Sequence, residues 1–137
     1  MTDRYDLEFT SPPDDVDGVQ DFVERVWAAS PHVGDRDRMA FETALIELAS
    51  NVIQHAGEGQ GVTCVLTLST VGGRITATLS DTAEKGRVSL VVGEMPDAFA
   101  ESGRGLPMVE ALVDDLTFER IDARNVWTIT KAITPAG

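Results

Sequence analysis

The chain has 137 residues, 42% of them apolar and 25% charged, which is one domain's worth of ordinary globular sequence with enough apolar side chains for a single core. Its formal net charge of −12 argues against unaided binding to nucleic acid or to an anionic membrane surface, so any polyphosphate must be held by backbone amides, helix N-termini or a metal ion. No apolar run approaches the ~20 residues a membrane span needs, the N-terminus is acidic rather than signal-like, and one cysteine, Cys64, allows no internal disulfide. A cytoplasmic location follows as the expectation.

In chain order, residues 4–10 read as an edge strand, with Tyr5, Leu7 and Phe9 alternating against charged neighbours. Ser11-Pro12-Pro13-Asp14 opens a helix in which Val16, Val19, Val23, Val26 and Trp27 form the core stripe. His32 falls in the following connection and reads as an exposed loop residue. Asp35 caps a second helix over about 36–56. There Phe41, Leu45, Leu48 and Val52 share a narrow arc, the predicted buried centre. Asn51 and His55 fall at one border of that arc, with Glu47 a step further out. Gly57, Gly59 and Gly61 end the helix.

A hairpin comes next, with strands 62–71 and 74–81 about the two-residue turn Gly72-Gly73. That turn sets the register: Leu68 faces Ala77, Leu66 faces Leu79, and Cys64 faces Asp81. By parity Asp81 then points to the apolar side at its strand's end, which is costly unless a donor meets it. Residues 82–102 lack a firm pattern beyond a brief strand at 88–92 and read as a lid. Gly103-Arg104-Gly105-Leu106 leads into a helix over about 106–114, with Leu106, Val109, Leu112 and Val113 apolar. Strands 116–121 and 125–132 close the chain around the turn Asp122-Ala123-Arg124, and their imperfect alternation leaves the faces unassigned.

Glu47, Asn51 and His55 stand at successive i, i+4 steps, so a carboxylate, an amide and an imidazole line one helical stripe. Each has a plain structural reading: a solvated carboxylate, a back-bonded amide, a partner for the helix C-terminus. Together they suit another chemistry. An amide oxygen is a hard ligand for Mg²⁺, and a carboxylate one turn away can take the proton of an attacking hydroxyl. Asp81 can accept from an exocyclic amine, which selects adenine. Gly103 and Gly105 before a helix expose backbone amides to phosphate, although a tight turn before a helix explains the pair equally well.

These residues carry a resemblance. Glu47-x-x-x-Asn51-x-x-x-His55, Asp81 at a strand end, and the run Glu101-Ser-Gly-Arg-Gly-Leu-Pro-Met-Val-Glu-Ala-Leu-Val-Asp-Asp-Leu116 resemble the GHKL ATPase superfamily. Within it, the chain is similar to the anti-sigma factor serine-protein kinases over nearly its whole length. The resemblance implies an α+β fold: the GHKL (Bergerat) two-layer α/β sandwich, a mixed, mostly antiparallel sheet with helices on one face, forming a single domain over 1–137. It implies that Asn51 binds the Mg²⁺ that bridges the ATP phosphates and that Glu47 activates the serine hydroxyl of a protein substrate. His55 lies near the phosphates, Asp81 takes the adenine amino group, and Gly103, Arg104, Gly105 and Leu106 form the glycine box. The implied partners are a sigma factor, held away from RNA polymerase, and a STAS-type anti-anti-sigma protein. Homodimerisation is also implied, to which the exposed first strand would contribute.

The chain departs from that family in one place. Where the family has D-x-G-x-G, it reads Asp81-Thr82-Ala83-Glu84-Lys85. The alternative is therefore a partner-sequestering module on the same fold, with an altered adenine box and no turnover. A detached histidine-kinase ATPase domain shares the fold but is disfavoured, because no phosphoacceptor helix pair precedes it and the N-terminal strand and helix suit the small anti-sigma form.

Overall fold

The computed structural model describes residues 4–11, 16–56, 62–81, 105–122 and 124–134, without the side chains at 11, 53–56, 62, 105 and 106. Gly72 and Gly73 both adopt φ of +74°, a conformation open to glycine at little cost. Positive φ at both central residues is the type I′ requirement, whose twist matches that of the flanking strands. The hairpin around them is built from β2 (Val62–Ser69) and β3 (Arg74–Asp81). Its register is the expected one: Leu68 opposite Ala77, Leu66 opposite Leu79 and Cys64 opposite Asp81. The first strand of the hairpin is shorter than expected, ending at Ser69, and Val71 is exposed ahead of the turn.

Around this hairpin the sheet grows to five strands in the order β1-β2-β3-β5-β4, where β1 is Arg4–Ser11, β4 is Asp115–Ile121 and β5 is Arg124–Ala132. Every pairing among them is antiparallel. The final turn is one residue tighter than the sequence suggested: Arg124 belongs to β5, opposite Ile121, and Asp122 takes a φ of 49°. Aspartate tolerates that left-handed conformation better than most residues.

Three helices complete the described part: α1 (Val16–Ala28), α2 (Asp35–Ala56) and α3 (Gly105–Leu112). The third ends two residues earlier than its apolar pattern suggested. Asp114 is drawn into the sheet instead, its amide donating to Thr130 O at 2.8 Å and its Oδ2 accepting from the Ala132 amide at 2.6 Å.

One side of the sheet and the three helices share a single core. Phe9, Cys64, Leu66, Leu68, Ile75, Ala77, Leu79, Phe118, Trp127 and Ile129 supply the strand side. Val19, Phe22, Val23, Val26 and Trp27 come from α1, and Phe41, Ala44, Leu45, Leu48, Ala49 and Val52 from α2. The four residues expected at the centre of α2 are thus buried, and the faces of β4 and β5 are resolved: Phe118 and Trp127 point inward with ring centroids 4.5 Å apart. The opposite face is dominated by threonine and serine: Thr63, Thr67, Thr76, Thr78, Ser80, Thr128 and Thr130. No helix among the described residues is long and apolar enough to cross a membrane.

The α1–α2 connection is tied down by polar contacts. Arg38 donates from Nε to Val33 O (2.8 Å) and from Nη2 to Ser30 O (2.9 Å), while Trp27 Nε1 donates to Glu42 Oε1 at 2.9 Å. His32 is exposed as expected, with Nε2 3.3 Å from Thr70 O of the hairpin turn. The segment 82–102 with its brief strand, the residues 12–15 of the first helix cap, Ala123 and the glycines after α2 lie outside the described residues.

Candidate functional site

Successive functional side chains of α2 sink into the fold as the helix advances. Glu47 is half-buried, and Asn51, one turn on, is only 6% exposed. The cause is the drift of an i, i+4 stripe by about 40° per step, which carries each residue closer to the buried arc of Leu48 and Val52. Asn51 Nδ2 is buried without a hydrogen-bond partner among the described residues. An unmet amide donor of this kind costs about 1–3 kcal/mol, so its retention at a core border suits a ligand that accepts from it. His55 belongs to α2, but its side chain lies outside the described residues.

Asp81 stands at the C-terminal end of β3, on the core side, and is 1% exposed. Its parity was legible from the two-residue turn. Its partner was not. Asn125, directly opposite on β5 and also 1% exposed, donates from Nδ2 to Asp81 Oδ1 at 3.0 Å. Asn125 in turn accepts at Oδ1 from Arg120 Nη1 of β4 at 2.7 Å. The signal for Asn125 was its shared parity with Trp127 and Ile129, the two large apolar residues of β5. On the other flank of Asp81 is Cys64, whose thiol is pushed up to about 12, first by burial and then by the negative charge of Asp81, with Arg124 pulling the other way. The thiol is therefore neutral at physiological pH.

Asn51 and Asp81 face the same layer, since α2 packs against β3 and β5. Gly105 begins α3; the side chain of Leu106 lies outside what is described, as do Gly103 and Arg104 altogether. The described candidate residues are thus a half-buried carboxylate and, one turn on, a buried amide with an unmet donor, both on α2, and a buried carboxylate hydrogen-bonded to an amide at the end of β3.

A family comparison gives these residues their context. Residues 9–131 match the family described as histidine kinase-like ATPase domain. The chain belongs to that family. Among solved structures, it is similar to the crystal structure of the RsbU and RsbW domains of Rv1364c from Mycobacterium tuberculosis, with a TM-score of 0.65 and 19% sequence identity over 98% of this chain. The chain spans 33% of that structure's length, and at this identity the likeness concerns the fold. No curated protein sequence matches it. The five-stranded antiparallel sheet with its helices is thus the histidine kinase-like ATPase architecture, a fold that binds nucleotide.

The donor set fits Mg-ATP. No cluster of three or more metal-ligating His, Cys, Asp or Glu side chains exists among the described residues. Mg²⁺ is often held by one or two protein ligands, with phosphate oxygens and water completing its shell. Asn51 Oδ1 is an oxygen of the kind that could serve as such a ligand, and its unmet Nδ2 is a donor that a phosphate oxygen could accept from.

Proposed function

We propose that this chain is an anti-sigma regulatory factor that binds Mg-ATP and phosphorylates a serine of a STAS-type anti-anti-sigma partner. The observation that carries the reading is Asn51: a buried amide with an unmet donor, one helical turn from the half-buried carboxylate of Glu47. The RsbW domain in the similar solved structure supports the choice within the family.

In this reading each residue has one task. Asn51 would hold Mg²⁺ through Oδ1 and a phosphate oxygen through Nδ2, and the ion when bound would neutralise charge on the phosphates. Asp81 accepts from the adenine amino group. Glu47 takes the proton of the partner's serine hydroxyl as its oxygen bonds to the γ-phosphorus, the bond to the β–γ bridging oxygen breaks, and ADP departs. The resemblance assigns His55, Gly103, Arg104, Gly105 and Leu106 to the phosphates. The chain also sequesters a sigma factor, the net charge of −12 favours basic patches on partners, and the protein works in the cytoplasm, with homodimerisation involving the edge strand β1.

The test is transfer from labelled ATP to the partner in the presence of Mg²⁺. Glu47→Ala is expected to lower the rate by about 10²–10⁴-fold, the usual contribution of a positioned base. No transfer by the wild-type protein, or undiminished transfer by Glu47→Ala, overturns the kinase reading. A second reading is favoured by Asp81-Thr82-Ala83-Glu84-Lys85: the same fold sequestering its partner without turnover. It expects no saturable thermal shift with Mg-ATP.

A further inference from the structure

Arg120, Asn125, Asp81 and Cys64 occupy one row across four neighbouring strands, because the ladder pairs Arg120 with Asn125, Asn125 with Asp81, and Asp81 with Cys64. An asparagine amide has two chemically different ends, whereas a guanidinium can only donate. Arg120 Nη1, 2.7 Å from Asn125 Oδ1, therefore fixes which end is which. The oxygen faces Arg120 and Nδ2 faces Asp81, 3.0 Å from Oδ1. The amide cannot flip without placing its NH₂ group against a cation and its oxygen against a carboxylate. With both Asn125 and Asp81 at 1% exposure, water has little room to replace either contact.

We infer that Asn125, oriented by Arg120, is a positioning residue that aims the Asp81 carboxylate at the 6-amino group of the bound purine and so sets the preference for adenine nucleotides. This rests on the Mg-ATP reading above. The geometry carries it: a donor 3.0 Å from Oδ1, on the facing strand and itself held in one orientation, restricts the rotation of the carboxylate and so the direction in which its oxygens accept from an exocyclic amine. The neutral thiol of Cys64 on the other flank adds no competing negative charge.

The experiment compares calorimetric affinities for Mg-ATP and for Mg-purine riboside triphosphate, which lacks only the 6-amino group. The proteins are the wild type, Asn125→Leu and Arg120→Leu. The wild type is expected to prefer ATP, and Asn125→Leu to reduce that preference at least about tenfold while the affinity for the 6-unsubstituted nucleotide changes little. Arg120→Leu removes a half-buried side chain rather than a buried one and carries the test if Asn125→Leu fails to fold; it is expected to shift the preference in the same direction, less far. Equal weakening of both nucleotides, or an unchanged preference, overturns the positioning role and leaves only a structural one. Absence of binding of either nucleotide by the wild type overturns the Mg-ATP reading itself, and this inference with it.

Discussion

Asp37 and Asp81 are both buried carboxylates, at 3% and 1% exposure, and their surroundings differ in kind. Asp37 lies in the first turn of α2 and receives three donors from the end of the chain's last strand. The Thr134 amide reaches Oδ2 at 2.7 Å, the Thr134 hydroxyl reaches Oδ1 at 3.1 Å, and Lys131 Nζ lies 3.4 Å from Oδ1. A cation, a backbone amide and a hydroxyl together account for this charge, and the group latches a helix start to a strand end. The described hydrogen bond of Asp81 comes from a neutral amide that is itself held in orientation. Burial of a carboxylate therefore does not mark a functional site by itself. The donors differ: Asp37 is met by a cation, a backbone amide and a hydroxyl, whereas the hydrogen bond described for Asp81 is from an oriented amide, and the proposed function assigns Asp81 to the adenine amino group.

That contrast can be broken at either end. The largest effect on stability is expected from Asp37→Ala, which leaves the Thr134 amide without its acceptor and should lower unfolding free energy by about 2–3 kcal/mol. Chemical denaturation measures it, and affinity for Mg-ATP should not change. Asp81→Asn should do the reverse. It keeps the shape of the side chain, so stability should move by less than about 1 kcal/mol, while replacing one accepting oxygen by an NH₂ group should weaken Mg-ATP by about tenfold or more in calorimetry. A large loss of stability in Asp81→Asn with unchanged binding would make the two aspartates equivalent and remove the distinction.

Acid titration sharpens the same comparison. Burial works to raise the pKa of Asp37, but the hydrogen bonds from the Thr134 amide and hydroxyl and from Lys131, with the Lys131 charge, outweigh it and leave the group below its ordinary 3.8. A pKa lowered on folding stabilises the folded state at every pH above 3.8, and that contribution is lost as pH falls through the lowered value. The stability gap between wild type and Asp37→Asn should thus be full at neutral pH and shrink below 3.8. The smallest effect expected is at Cys64, which is fully buried beside Asp81 with its thiol pushed up to about 12. Thiol reagents at neutral pH should label it only as fast as the domain opens, and rapid labelling of the folded protein would contradict its place in the row.

Much of this was legible in the sequence for identifiable reasons. Gly72-Gly73 admits a turn that few other pairs permit, and from it the register, the parity of Asp81 and its burial all followed. The apolar arc of α2 placed Asn51 at the border where it is found. The partners of the two aspartates were not legible, because they lie far along the chain: 44 residues separate Asp81 from Asn125, and 97 separate Asp37 from Thr134. No local pattern announces such pairs. Asn125 was further obscured by Val126, an apolar residue on the opposite face of β5 that blurs the alternation. The early end of α3 was hidden for a related reason, since the pull of Asp114 toward β5 is a tertiary contact.

The strand order has a consequence for how the protein assembles. The β2–β3 and β4–β5 hairpins each form from neighbouring sequence, whereas β3 and β5 are joined although they are not consecutive strands. Closing that long loop is the entropically slow part of building such a sheet. The hydrogen bond between Asp81 and Asn125 crosses this very seam. The two hairpins can therefore be complete while the Asp81–Asn125 pair is still missing, and on the proposed function competence to select a nucleotide would arrive only when the halves meet.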